Sequence, residues 1–419
     1  MGPVRTAIIG GGAAGCFCAI RAKRRLPEAD VTVFEAGPKL LAKVAVTGGG
    51  RCNLTNSFRD IALTGQEPGK CRLAEVYPRG EQVMKRALRV LGPADTQRWF
   101  EAEGVRLVTQ EDQCVFPASQ DAMQIVRTLE RCLRQEGVRV CLNAPVERIE
   151  AREGGFGIEI PGQARDDYIG ARDDYDKVVV TIGGSSREKL QRLLPEGIAV
   201  TDCVPSLFTL KVPDAGLRAL MGTVVDRATL SLAGTKFRAA GTLLLTDWGV
   251  SGPATLRLSS YAARHLAENG YSGTLLVGWL DATEADARAW IAATAAANPQ
   301  KQAASTPPEG ITARLWRHLL GRAALREDLR WAELGSKGAA RLAATLTADA
   351  YPVTGRARFK EEFVTCGGVD LAGLDPTRLE SRRWPGLFFA GEALDVDAVT
   401  GGFNLQAAWS TAALVAGAL

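Results

Sequence analysis

The residues able to do chemistry lie in three glycine-rich stretches. At Thr47–Asn56 the chain reads TGGGRCNLTN. Three successive glycines abolish helix and strand preference together. A guanidinium, a thiol and two carboxamides follow at once. Backbone without Cβ atoms suits close approach to a bulky ligand, and Arg51 brings positive charge to it. Cys52 is either a small apolar filler or a thiol acting as acid or redox partner. The second stretch, IIGGGAAG at Ile8–Gly15, sets Gly10, Gly12 and Gly15 in G-x-G-x-x-G register around Ala13 and Ala14. In that register the first glycine makes a tight turn, the second admits a pyrophosphate, and the third lets helix and strand pack closely. The third, FAGEALDVDAVTGGFNLQAAW at Phe389–Trp409, carries Gly391, Glu392, Asp395 and Asp397, then a glycine turn at Gly402 ahead of Asn404 and Leu405.

The intervening sequence supplies elements to position these groups. VRTAII predicts a strand, the Ala-rich run up to Pro27 a helix, and DVTVFEAG a second strand ending in Glu35. An acid about 20 residues beyond the glycines, at a strand end, suits the ribose hydroxyls of a dinucleotide. The C-terminal stretch favours FAD over NAD. Acids after an apolar strand can bind a ribityl chain, which NAD lacks. A helix starting near Asn404 would aim N–H groups at the pyrimidine edge of a flavin. No second G-x-G-x-x-G occurs, so NAD(P)H would have to dock transiently. The absence of C-x-x-C argues against disulfide chemistry.

These motifs, with VFPAS at Val115–Ser119, WGVSGPATLRLS at Trp248–Ser259 and VTCGGVDL at Val364–Leu371, resemble the BaiN/YhiN-type flavoproteins over nearly the whole chain. The resemblance implies an FAD domain of glutathione-reductase type. It places Gly48, Gly49, Gly50, Arg51, Cys52 and Asn53 against the cofactor, adds Lys43 as a further positive group, and brings Val146 near the adenine. The turn VVVTIGG, containing Gly183, departs from the family's A-T-G form. Where relatives often read T-H, this chain has Thr246–Asp247, and His265 and His318 are its two histidines. Both stand in Arg-rich, helix-like stretches that suggest solvation. The acid must then be Asp247, a Tyr, a Cys or water.

The activity the resemblance implies is reduction of an activated carbon–carbon double bond of a small molecule, with hydride passing from NAD(P)H through FAD. Relatives have been linked to steroid enones and to dihydrouridine formation in ribosomal RNA; some are described as amine oxidases. A rival from another class is a flavin-bound RNA-binding protein without turnover. A small-molecule reductase would have an apolar cavity lined by Phe208, Trp248, Trp279 and Phe403.

The totals agree with a globular enzyme. There are 419 residues, 46% hydrophobic and 23% charged, with a net charge of +4. That charge is too small for a global nucleic-acid or membrane field. Nine scattered cysteines suggest a reducing compartment. No signal peptide or membrane-length apolar run is present, so a cytoplasmic protein is expected. The expected fold is α/β: a Rossmann-like FAD-binding domain over 1–190 and 363–419, a β-barrel-like insert over 191–255 and 340–362, and a helical subdomain over 256–339. ANPQKQAASTPPEG (Ala297–Gly310) reads as an exposed loop. The near-duplicates ARDDYIG and ARDDYDK (Ala164–Lys177) read as a hairpin tip. Lys301–Arg341 carries eight Lys/Arg against four Asp/Glu, either a solvated helix face or a footprint for a phosphate-bearing substrate.

Overall fold

Five short strands rich in Val, Ile and Phe form one parallel sheet in the order Leu387–Phe389, Lys177–Val180, Arg5–Ile9, Asp30–Phe34, Arg139–Cys141. We describe the computed structural model over residues 2–63, 67–161, 174–357 and 364–419; the ARDDY repeat lies, up to residue 173, outside them. Most residues of the inner strands are buried, the mark of a parallel sheet covered on both faces. The register aligns the strand ends. Phe389 pairs with Val180, Val180 with Ile9, Ile9 with Phe34, and Phe34 with Cys141. Gly10, Glu35, Thr181 and Ala390 therefore leave the sheet on one edge. The carboxyl edge of such a sheet is where ligands bind.

Two helices carry that edge. Helix Ala13–Arg25 follows the glycine turn and ends in Lys23, Arg24 and Arg25, cations that suit a helix C-terminus. Helix Phe403–Ala418 is buried continuously from Gln406 to Ala416, as expected of a helix apolar all round. Its Trp409 packs edge-on to Phe17, with ring centroids 5.4 Å apart.

The chain divides into two units, Met1–Val204 with Val364–Leu419, and Pro205–Phe363. The second is built on a closed six-stranded barrel, taken in order Leu210–Lys211, Gly249–Ser251, Arg238–Thr246, Val224–Leu232, Ser272–Gly278, Asp349–Arg356. One of these strands, Ser272–Gly278, comes from the 256–339 stretch expected to be helical. Its sequence SGTLLVG is a short apolar run flanked by glycines, which periodicity cannot assign by itself. Helices Glu284–Ala297, Ala313–Arg322 and Gly335–Ala348 share a core with the barrel.

Two expectations change. Phe208 and Trp279 are core residues of the second unit, and Phe403 is buried in the first, so they do not line an apolar cavity; Trp248 alone of the four is half-buried. The loop Ala297–Gly310 is exposed at most of its residues, as expected, and is anchored at two points, where Trp316 Nε1 donates to Ala303 O at 2.8 Å and Trp331 Nε1 to Thr306 Oγ1 at 2.6 Å. His318 is half-buried, its Nε2 3.2 Å from Tyr351 Oη, and not solvated.

Candidate cofactor and active site

The first glycine turn separates two reasons for glycine. A Cβ on Gly15 would lie 1.9 Å from Gly10 O, so only a glycine lets the helix pack on the turn. A Cβ on Gly12 would meet no atom within 4 Å. Packing explains Gly15 and leaves Gly12 open for a ligand. Gly12 also caps helix Ala13–Arg25, and the first intrahelical bond is Cys16 N to Gly12 O at 3.0 Å. The amides of Ala13, Ala14 and Gly15 precede it, among the first-turn donors that attract anions. Thr181 Oγ1 braces the turn, donating to Ile9 O at 3.0 Å and Gly10 O at 2.9 Å.

Glu35 reaches this turn. Its Oε2 accepts from Gly11 N at 2.8 Å and its Oε1 from Gly37 N at 2.7 Å. Each oxygen retains acceptor capacity while its direction is fixed. The segment leading to Val146 is tied to the same place, as Ala144 N donates to Glu35 O at 2.9 Å and Asn143 N to Gly37 O at 3.0 Å. Val146 itself is half-buried.

The loop TGGGRCN interrupts helix Ala42–Gly50 at Thr47, and Gly48, Gly49 and Gly50 all adopt left-handed φ, at 60°, 68° and 80°. Such a run is strained for any residue with a Cβ. Cβ atoms on Gly49 and Gly50 would meet nothing within 4 Å, so these two are open as Gly12 is. Arg51 is exposed, with its Nε on Gly48 O at 3.2 Å and its guanidinium 4.5 Å above the Phe116 ring.

This loop abuts the C-terminal turn. With its amide oriented to satisfy both ends, Asn53 donates to Thr55 O at 2.9 Å and accepts from Gly402 N at 3.2 Å. Asn56 Nδ2 donates to Gly401 O at 3.2 Å, and Trp409 Nε1 to Leu54 O at 3.0 Å. Behind the contact, Gln406 sits fully buried. It accepts from Thr55 Oγ1 at 2.5 Å and donates to Leu91 O, Thr96 Oγ1 and Ser410 Oγ at 3.2, 3.0 and 2.8 Å. Gly402 caps the helix, and its first backbone bond is Gln406 N to Gly402 O at 3.1 Å. Gly401, Gly402, Asn404 and Leu405 keep partial exposure at the head of a helix that is otherwise enclosed.

The acids divide. Glu392 accepts from Thr365 N at 2.8 Å and lies 3.3 Å from Lys43 Nζ, beside Gly183. Asp395 is half-buried. Asp397 corrects the expectation: it is fully buried, and both its oxygens are engaged by the Arg79 guanidinium, so its carboxylate does not face a ribityl chain. Asn404 likewise spends its side chain on its own turn, accepting from Ala398 N at 2.9 Å and donating to Ala398 O at 3.0 Å. A contribution of Asn404 to a flavin falls to its backbone amide.

The two candidate catalytic residues also separate. Cys52 is fully enclosed, and burial pushes its thiol up to about 12. That is the environment of an inert packing thiol, which favours the filler reading over the acid or redox role. Asp247 stands exposed in the turn between strands Arg238–Thr246 and Gly249–Ser251 of the second unit, with its carbonyl bound by Arg218 Nε. Sequence reasoning missed Tyr77, Arg79, Thr181, Thr365 and Gln406, because each acts through a contact far away in the chain. The polar Gln406 inside the apolar run FNLQAAW was the one visible signal.

FAD fits this edge. Gly12, Gly49 and Gly50 leave room that no protein atom fills, Glu35 is fixed at the turn by Gly11 N and Gly37 N, and two helices begin at this edge. Among the described residues no cluster of His, Cys, Asp and Glu could hold a metal ion. Comparison with known proteins agrees. The family described as HI0933-like protein Rossmann domain matches residues 4–418. The 3-dehydro-bile acid delta(4,6)-reductase of Clostridium scindens is 27% identical, covering 97% of each chain. The ribosomal RNA dihydrouridine synthase of Escherichia coli is 29% identical, over 97% of this chain and 95% of that one. Its Haemophilus influenzae counterpart is 27% identical, over 97% and 96%.

Proposed function

The chain belongs to the HI0933-like family and is an FAD-dependent oxidoreductase; from that premise we propose that it reduces an activated carbon–carbon double bond of a small-molecule substrate, with NAD(P)H as a transiently docked donor. The observation that carries the reading is the convergence, on one sheet edge, of the Gly10–Gly15 turn, Glu35, the TGGGRCN loop and the head of helix Phe403–Ala418. The amides of Ala13–Gly15 would hold the pyrophosphate and Glu35 the adenosine ribose. Glu392, paired with Lys43, would meet the ribityl chain, and the amides of Phe403, Asn404 and Leu405 the pyrimidine edge. FAD, when bound, supplies the two-electron step, taking hydride from the donor and delivering it to the substrate. With Cys52 enclosed, the candidates for the accompanying proton are Asp247, a Tyr or water. The relatives' names support the substrate chemistry, since a delta(4,6)-reductase and a dihydrouridine synthase both saturate a carbon–carbon double bond conjugated to a carbonyl.

One observation favours ribosomal RNA as the alternative substrate. Of the eight basic residues in Lys301–Arg341, Arg322 and Arg326 pair with acids and Arg341 binds backbone carbonyls. Among the described residues, Arg314 and Arg317 are exposed and carry no acid partner. Two measurements test both readings: anaerobic bleaching of the bound flavin by NAD(P)H followed by turnover of small enones, and mass spectrometry of ribosomal RNA from cells with and without the gene. Enone turnover with an unchanged RNA profile is the expected result. A lost dihydrouridine moves the function to RNA, and a flavin that NAD(P)H cannot reduce rejects the donor.

A further inference from the structure

The turn leading into helix Phe403–Ala418 is gripped from outside by one short segment, Val76–Gly80. Val399 N donates to Val76 O at 2.9 Å. Tyr77 Oη donates to Phe403 O at 2.9 Å, inside the first helical turn, and the two rings lie edge-on at 6.3 Å. Arg79 and Asp397 bridge through their backbones and again through their side chains, with Nε on Oδ1 at 2.5 Å and Nη2 on Oδ2. A Cβ on Gly80 would lie 2.4 Å from Val396 Cγ2, so glycine here makes room for the Val396 side chain to pack against the segment. No residue of the gripping segment Val76–Gly80 belongs to a motif singled out in the sequence.

The ion pair is the informative part. Asp397 is 0% and Arg79 12% exposed. A buried pair gives weak net stability, and an apolar pair of similar volume could hold the same two segments together. A two-pronged guanidinium–carboxylate contact adds a fixed distance and plane. The element so fixed is the turn whose end carries the amides of Phe403, Asn404 and Leu405. Asn404 ties the inside of the same turn through Ala398, so the turn is held from both sides. Binding groups need placement within about 0.5 Å to be effective.

We propose that Arg79, acting through Asp397 and supported by Tyr77, is a positioning residue that sets the first-turn amides of the C-terminal helix against the flavin. The inference rests on the reading that these amides face the cofactor. It assigns Asp397 an orienting task in place of the ribityl contact its motif suggests.

Two variants test it: Arg79→Lys, which keeps the charge and loses the fork, and the double variant Arg79→Met/Asp397→Met, which removes the charges and keeps apolar bulk. For each, FAD affinity of the apoprotein, the visible flavin spectrum, the midpoint potential of the reconstituted protein and the Tm of the apoprotein are measured beside wild type. The expected result is an apoprotein Tm close to wild type in the double variant, with FAD bound at least tenfold more weakly in both and the flavin band and potential shifted. Variants that lower Tm while binding FAD with wild-type affinity, spectrum and potential would make the clamp merely structural. Full recovery of all three in the double variant would overturn the proposal too. A wild-type apoprotein that takes up no FAD rejects the cofactor reading itself, an outcome distinct from these.

Discussion

Gly12 and Gly15 stand three residues apart in one motif, yet replacing each by alanine should have opposite consequences. At Gly15 the new methyl would sit 1.9 Å from Gly10 O and 2.7 Å from Thr181 Oγ1. The helix must move off the turn by about 1 Å, and overpacking of that kind costs roughly 1–3 kcal/mol or more. At Gly12 the methyl meets no protein atom within 4 Å, and the backbone there, φ −83° and ψ −166°, is ordinary extended chain. Alanine is a poorer cap than glycine, but it also restricts the unfolded chain; the two effects oppose at roughly 0.5–1 kcal/mol each. The apoprotein Tm of Gly12→Ala should therefore match wild type. FAD binding should not. A methyl in the path of the pyrophosphate removes one or two charge-assisted hydrogen bonds, about 2–4 kcal/mol, or roughly thirtyfold to a thousandfold in affinity. Thermal unfolding of the apoproteins, paired with FAD titration, reads both terms. If Gly12→Ala binds FAD as wild type does, the pyrophosphate does not lie on this turn and the reasoning fails.

Five further outcomes are expected. Glu35→Ala should weaken FAD binding by roughly 1–3 kcal/mol, measured by titration, and unchanged affinity would remove Glu35 from the site. Cys52→Ala should retain NAD(P)H-driven flavin reduction and substrate turnover, and the wild-type thiol should resist alkylation at neutral pH because burial pushes it up to about 12; loss of turnover in a folded variant would restore it as a catalytic group. Arg314→Glu with Arg317→Glu should leave Tm unchanged and lower RNA binding only if RNA is the substrate. Arg322→Glu should instead destabilise by roughly 3–5 kcal/mol by stranding buried Asp349, which Arg322 binds at 2.6 Å. His318 is held below its ordinary value of 6.5, first by burial. The folded state therefore binds this proton less readily than the unfolded chain, so stability is full above about 6.5 and falls as the pH drops toward the folded value. His318→Gln should flatten that loss in a Tm-versus-pH series.

The parts of the site legible in the sequence are those that chain neighbours determine. The strand–glycine–helix spacing around Gly10–Gly15, the acid closing the next strand at Glu35 and the glycine run at Gly48–Gly50 each carry their meaning locally. Asp397 misled because a motif cannot show that Arg79, 318 residues away in the chain, takes both its oxygens. Cys52 stayed open between filler and reactive thiol because enclosure is a tertiary property, which a polar-looking loop conceals. The strand Ser272–Gly278 was hidden since its short apolar core, Leu275–Val277, fits a buried strand or a helix turn equally. Phe208 and Trp279, large and apolar, suit a cavity wall as well as a core, and only the packing assigns them to the core.

The interruption of the first unit has a consequence for how the protein is made. The ribosome releases Met1–Val204 well before Val364–Leu419, with Pro205–Phe363 between them. At roughly 5–20 residues per second, that interval lasts on the order of ten to thirty seconds. Throughout it, strand Lys177–Val180 lacks its neighbour Leu387–Phe389, and the sheet waits with an open edge, a template for wrong pairing. The insert is better protected, since its six strands close on themselves and leave no edge.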